Sequence, residues 1–396
     1  MEIEIGRGKK ARRAYGFDDV AIVPSRRTRD PEDVDISWTL GPYRFELPLL
    51  GAALDGVVSP QTAGIIGKLG GLAVLNLEGI FCRYEDVDAQ LERIADLSPE
   101  EATREMQEIY REPVKPELIA QRICEIKEQG VVIAASLTPQ RVREHYEVAL
   151  EAGIDILVIQ GTVVSAEHVS TVAEPLNLKE FIRQVPVPVV VGGCASYHTG
   201  LHLMRTGAAG VLVGVGPGAI CTTRGVLGIG VPQATAIADV AAARSQHMLE
   251  TGDYVRVIAD GGMKNGGDIA KAIACGADAV MLGSALARAY EAPGRGYNWG
   301  MATFHPTLPR GTRVKTVQNA SLEEILLGPA RENDGMFNLM GALRTSMATC
   351  GYRDIAEFNR AELMVAPALQ TEGKHLQRDQ QVGMGSNGRA VALVND

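Results

Sequence analysis

The feature that most narrows the fold is an alternation, from about Leu47 onward, between short apolar runs and amphipathic stretches rich in Ala, Glu, Lys and Arg. The runs are Leu47–Leu54, Leu72–Asn76, Val131–Leu137, Ile156–Gln160, Val187–Val191, Gly210–Val215, Val255–Ala259 and Ala279–Leu282. Each is β-branched or Leu-rich and bounded by Gly, Pro or Asp on at least one side, the pattern of strands buried on both faces. Between most of them, as in Gln140–Ala152 and Gly267–Cys275, apolar positions recur at helical spacing. Eight strands with helical crossovers require a parallel sheet, and eight is the number that closes into a barrel. Three phrases, 151–155, 206–210 and 275–279, place a glycine (Gly153, Gly207, Gly276) where a helix ends just before a strand. There it supplies the left-handed cap of a sharp turn. An open doubly wound sheet is the competing architecture, but no GxGxxG follows a first strand. The expectation is α/β: a single-domain (β/α)8 TIM barrel.

The barrel is expected over 47–365, with 1–46 as an N-terminal arm and lead-in to the first strand, and 366–396 as a polar tail. Two excursions break the regular count. Leu77–Pro116 is longer than an ordinary βα connection, and Asp96–Tyr110 within it reads as a charged helix. After the eighth strand, 287–328 is rich in Gly, Pro, Trp and His and reads as an extended flap; long excursions after barrel strands build the site or cover it.

Charge and cysteine usage exclude several classes. A net charge of −9 with interleaved signs offers no basic face for nucleic acid or an anionic membrane. A small anionic ligand remains compatible, because backbone N–H groups hold phosphate. No apolar run approaches a membrane span, and the polar, basic start does not read as a secretory signal. The six cysteines form no CxxC pair, and the seven histidines form no HxH or HExxH. The expectation is a cytoplasmic protein with reduced thiols and no zinc site.

Chemistry concentrates in Val213-Gly-Val-Gly-Pro-Gly-Ala-Ile-Cys-Thr-Thr-Arg224, followed by Gly228-Ile-Gly-Val-Pro-Gln-Ala-Thr-Ala-Ile237, just past the sixth strand. Gly214, Gly216 and Gly218 permit a tight loop that turns backbone groups inward. Cys221 on that loop, beside Arg224 and hydroxyls, reads as an activated nucleophile; the other five cysteines read as structural thiols. A second signal is Val257-Ile-Ala-Asp-Gly-Gly-Met263 with Ala277-Asp-Ala-Val-Met-Leu-Gly-Ser284. Glycine-rich ends on strands seven and eight are where such barrels bind phosphate. Gly262 and Gly283 would let amides approach it, Ser284 adds a hydroxyl, and Asp260 suits the two O–H groups of a vicinal diol.

These phrases, with Gly16-Phe-Asp-Asp-Val-Ala-Ile-Val-Pro-Ser25 and Leu47-Pro-Leu-Leu50 leading to Asp55 and Leu69-Gly-Gly-Leu72, resemble the IMP dehydrogenase/GMP reductase family over about 14–365. The chain looks like a short branch without the inserted pair of CBS regulatory domains. The resemblance implies that Cys221 adds to C2 of a purine nucleotide and that Thr223 belongs to a proton relay. It implies that the carbonyls of Gly216, Gly218 and Cys221 hold a monovalent cation such as K⁺. Asp260 then takes the ribose, Gly262, Gly283 and Ser284 the phosphate, and Gly300-Met301 the base. It also implies a nicotinamide hydride partner, NADPH or NAD, and a homotetramer or larger assembly.

Some positions depart from the family pattern. The flap arginine–tyrosine pair that activates water in IMP dehydrogenases is not found between Gly300 and Thr316, where His305, Arg310 and Arg313 are the candidates. That favours the reductase, GMP plus NADPH to IMP, ammonia and NADP⁺, over the dehydrogenase, IMP plus NAD⁺ and water to XMP. Arg310 stands where the relay's acid is expected, and arginine is a poor acid. Ala219 replaces a phosphate-binding serine. Gln160 and Cys194 occupy the two positions expected on the cofactor side. A flavin-dependent barrel would explain the phosphate loops but not Cys221-Thr-Thr-Arg. A non-catalytic nucleotide-binding paralogue is the alternative that the altered positions keep open.

Overall fold

The computed structural model describes residues 2–169, 171, 175–300, 313–366 and 372–380. Eight parallel strands close a barrel: β1 (Leu49–Gly51), β2 (Leu72–Asn76), β3 (Ala134–Leu137), β4 (Ile156–Gln160), β5 (Val189–Cys194), β6 (Gly210–Val213), β7 (Arg256–Asp260) and β8 (Ala279–Leu282). Each pairs with its neighbour in sequence, and β8 returns to β1 with Val280 opposite Leu49. Their side chains are almost wholly buried, which is why the runs are apolar without alternation.

The helices that alternate with these strands are α1 (Pro60–Lys68), α2 (Pro116–Lys127), α3 (Val142–Ala152), α4 (Leu178–Gln184), α5 (Tyr197–Met204), α6 (Gln233–Thr251), α7 (Gly266–Ala274) and α8 (Leu339–Thr349). Gly153, Gly207 and Gly276 all take positive φ, at 94°, 93° and 115°. The sharp helix-to-strand turns therefore form where the glycine phrases place them.

β2, β4 and β8 keep the bounds read from the sequence. β3 starts later than Val131, because the Asp155 carboxylate accepts the Ile133 amide at 2.8 Å in place of a strand partner. β5 is shifted towards its C-terminal end. Pro188 has no N–H to give, while the Gly193 amide donates to the Gly161 carbonyl at 3.0 Å and extends the edge. The helix expected over Asp96–Tyr110 forms as Pro99–Ile109, and the excursion holds a second helix before it, Val87–Asp96, which was not expected. Ser98 caps the second by accepting the Glu101 amide, and a following proline disfavours helical backbone at Ser98.

The N-terminal segment closes the bottom of the barrel. A hairpin of Trp38–Leu40 and Tyr43–Phe45 reaches the N-terminal strand ends, with the Tyr43 hydroxyl donating to Asp155 at 3.0 Å and Arg256 donating to Thr39. Val20–Ile22 pairs with Leu363–Val365, so the two ends of the barrel sequence meet. Glu2–Gly6 and Lys9–Arg12 form an exposed hairpin held on α6 by Arg12, which donates to both oxygens of Asp239 at 2.9 and 3.0 Å. Among the described residues no helix is long and apolar enough to cross a membrane. Most of the tail beyond 366 lies outside the described residues.

Candidate active site

The site forms where the loops after β6, β7 and β8 meet. After β6 the chain is pinned by Val215 and Ile220, both buried, while Gly216 takes φ 77°. The Cys221 amide donates to the Gly218 carbonyl at 3.0 Å, closing a turn that leaves the Cys221 side chain exposed. A five-residue helix, Thr223–Leu227, follows and ends at Gly228 in the left-handed region. Thr223 is buried one turn behind the cysteine.

Arg224 does not serve the thiol as the sequence suggested. Its Nη2 donates to the Val231 carbonyl at 2.6 Å. Its stem lies so close to two glycines that a methyl at Gly216 would come within 2.7 Å of Cγ and one at Gly230 within 2.6 Å of Nε. The arginine is a rivet through the two halves of the motif.

The turn after β7 packs directly on this loop. Gly261 and Gly262 take φ 78° and 84°. A methyl at Gly261 would lie 3.2 Å from the Gly218 nitrogen, and one at Gly262 would lie 3.1 Å from Pro217 Cβ. The cysteine loop and the glycine turn are thus in backbone contact. Gln233, buried at the start of α6, stitches the strands beneath them: its Nε2 donates to the Val213 carbonyl at 2.6 Å and the Asp260 carbonyl at 3.1 Å. Its Oε1 is buried without a hydrogen-bond partner. Gln233 lies within the second half of the motif, and a polar residue at a helix start is the signal that marks it.

Asp260 ends β7. Burial pushes its carboxyl up to about 6, opposed by the hydrogen bond from Gln160. The Gln160 amide at the end of β4 reaches across the mouth, 3.2 Å from Asp260 Oδ2 and 3.8 Å from Met281 Sδ. The side chain expected on the cofactor side is therefore turned to the carboxylate. Cys194 is buried, its thiol donates to the Leu212 carbonyl at 3.5 Å, and burial pushes it up to about 12. That is a packing position, in place of the cofactor contact expected of it.

After β8, Gly283 packs on Leu54, and a methyl there would lie 2.8 Å from Leu54 Cδ1. Ser284 Oγ sits 3.5 Å from the Asn298 amide nitrogen. Asn298 is fully buried in the strand Tyr297–Trp299, its Oδ1 has no hydrogen-bond partner among the described residues, and no local motif points to it. Gly300 follows directly, while Met301, His305 and Arg310 lie outside the described residues. Tyr297–Trp299 pairs antiparallel with Arg313–Lys315. Arg313 donates to the carbonyls of Ile94 and Leu97 at the end of helix Val87–Asp96, and its guanidinium stacks over Tyr297 at 4.0 Å. As a candidate water activator it is thereby corrected to a helix cap.

Gly216, Gly218 and Cys221 belong to one loop, and the Gly218 carbonyl already accepts the Cys221 amide. Among the described residues no group of His, Cys, Asp and Glu is arranged to hold a metal.

Comparisons with known proteins show the family to which the chain belongs. The family model described as the IMP dehydrogenase / GMP reductase domain matches residues 14–312. An uncharacterized oxidoreductase of Mycolicibacterium smegmatis is 48% identical, covering 92% of this chain and 99% of its own. Inosine-5'-monophosphate dehydrogenase of Methanocaldococcus jannaschii is 26% identical over 92% of this chain and 95% of its own. A solved structure of an IMP dehydrogenase/GMP reductase-like protein from Corynebacterium glutamicum superposes with TM-score 0.88 at 46% identity, covering 92% of this chain and 98% of that one. The chain belongs to the IMP dehydrogenase/GMP reductase family. It is an oxidoreductase of that type, in a family that works on purine mononucleotides with a nicotinamide nucleotide.

Proposed function

We propose that this protein reduces GMP to IMP, with Cys221 as the nucleophile at C2 and NADPH as the hydride donor. One observation carries the reading: an exposed thiol on a turn whose backbone rests on Gly261-Gly262. A phosphate anchored at the glycine turn and Ser284, and a ribose diol on Asp260, would present the purine edge to that thiol. Addition of the thiolate to C2 makes that carbon tetrahedral, ammonia then departs with a proton, and once hydride has reached C2 the C–S bond breaks to return the Cys221 thiolate and release IMP. Thr223, and K⁺ on the carbonyls of Gly216, Gly218 and Cys221, belong to this reading as the relay hydroxyl and the ion that shapes the loop.

The residues present fit a nicotinamide beside the base. Val163 after β4 and Val226, Leu227 and Ile229 after β6 are exposed apolar side chains on the loops flanking the mouth, suited to cover a planar ring. The nicotinamide supplies hydride to C2 when bound. With Cys194 buried and Gln160 turned to Asp260, neither side chain is assigned a cofactor contact.

The reductive direction rests on the sequence between Gly300 and Thr316, where no arginine–tyrosine pair stands, and on Arg313, which is committed to a helix end. A second reading, IMP plus NAD⁺ and water to XMP, is favoured by the arginine at 310 in the place of a relay acid. One assay separates them: purified protein with GMP and NADPH, or with IMP and NAD⁺, followed at the absorbance band of the reduced nicotinamide with and without K⁺. NADPH consumption that requires GMP supports the reductase. Reduced nicotinamide formed from IMP supports the dehydrogenase. GMP bound tightly with turnover in neither direction would make the chain a non-catalytic nucleotide binder.

A further inference from the structure

The two-helix excursion after β2 has a small core of its own, separate from the barrel core, and Trp299 is part of it. Trp299 comes from the strand that places Asn298 beside Ser284 and leads into Gly300. The excursion holds it with more than apolar contact. The indole Nε1 donates to the Tyr110 hydroxyl at 2.7 Å, and that hydroxyl donates to Asp55 Oδ2 at 2.6 Å. Asp55, just past β1 and buried, is fixed in turn by the Ile80 amide at 2.9 Å. The hydroxyl thus bridges a directional chain from the end of a barrel strand, through the excursion, to the strand beside the site.

We propose that Tyr110 is a positioning residue for the nucleotide, acting through Trp299 to set where Asn298 and Gly300 stand. The excursion is then a working part of the binding site. Burial and the neighbouring carboxylate push the Tyr110 hydroxyl well above its ordinary range, so it stays a donor throughout the neutral range. Removing it takes the acceptor from the Trp299 N–H and one donor from Asp55 Oδ2, which keeps the Ile80 amide, in a water-poor place, the expensive way to lose a hydrogen bond. The strand must shift to find others.

This rests on the reading of the site as a purine-nucleotide site, and the test separates the two. Binding of GMP and IMP to the full chain is measured by calorimetry for the wild type and for Tyr110→Phe, with KM for NADPH measured alongside. The expected result is nucleotide affinity about tenfold weaker in Tyr110→Phe, with KM for NADPH within about twofold of wild type. Affinity equal to wild type overturns the relay and leaves the site reading intact. A wild type that binds neither nucleotide overturns both. Where Tyr110→Phe does not fold, Trp299→Phe keeps an aromatic ring and the Tyr110–Asp55 bond but drops the indole N–H; it is expected to weaken nucleotide binding likewise, and unchanged affinity there overturns the relay.

Discussion

Gln160 and Asp260, one hundred residues apart, meet across the mouth of the barrel with 3.2 Å between amide nitrogen and carboxylate oxygen. Among the described residues no charged partner accompanies the pair, and burial pushes the carboxyl up to about 6. In the unfolded chain it titrates near its usual value of about 3.9. Folding therefore takes up a proton between those values: the contribution to stability is full below about pH 4 and is lost as pH rises towards 6. Asp260→Asn is expected to raise Tm at pH 8 and to lose that gain by pH 4. Thermal unfolding of both proteins across that range checks it, and a constant difference in Tm contradicts it.

Thiol accessibility gives a second expectation. Cys124 and Cys221 are exposed, whereas Cys82, Cys194, Cys275 and Cys350 are buried. Iodoacetamide should label the first two in the native protein, and GMP should shield Cys221 alone. Peptide mapping reads the result. Cys221→Ala should keep the fold and lose turnover in either direction; retained turnover would remove the cysteine from the chemistry.

At Gly261 a methyl acts directly on the contact between the two loops. Its φ of 78° costs an L-residue about 1–2 kcal/mol, and the added carbon meets the Gly218 nitrogen at 3.2 Å. Gly261→Ala should fold with reduced stability and bind GMP at least about tenfold more weakly, since a shift of about 1.4 kcal/mol is tenfold. Calorimetric titration measures it, and wild-type affinity would argue that the contact between the loops is idle.

At the opposite end of the barrel the same kind of change should act on stability alone. Asp278 is buried, accepting from Arg244 at 2.7 Å, the Tyr254 hydroxyl at 2.8 Å and the Val257 amide at 2.8 Å. Asp278→Asn should cost about 3–5 kcal/mol by leaving the Arg244 charge buried without its partner. Because this network lies under the barrel floor, the nucleotide KM of the folded enzyme should not move. Denaturant unfolding and steady-state kinetics on one preparation test both halves.

The barrel was readable because each strand is a local apolar run and each turn glycine sits where a helix must stop. The excursion was less so. Its charge pattern is continuous across Asp96–Tyr110, and only the Ser98-Pro99 step marks the break. Around the site, glycine motifs located the loops, since backbone freedom is written in residue type. The destinations of side chains were not. Arg224 looked like a thiol's neighbour from proximity in sequence, yet it spans Gly216 and Gly230. Gln160 was read by its place after β4, and only the closed barrel brings it to Asp260. Tyr110 and Trp299 lie 189 residues apart, and nothing in either local sequence announces the other.

An indole that completes the core of one segment while belonging to another makes the two segments share their breathing. Amides of the excursion helices and of Tyr297–Trp299 should exchange with solvent as one cooperative block, distinct from the barrel strands. Any lineage that lengthened or replaced the excursion would have had to find new company for Trp299 in the same step.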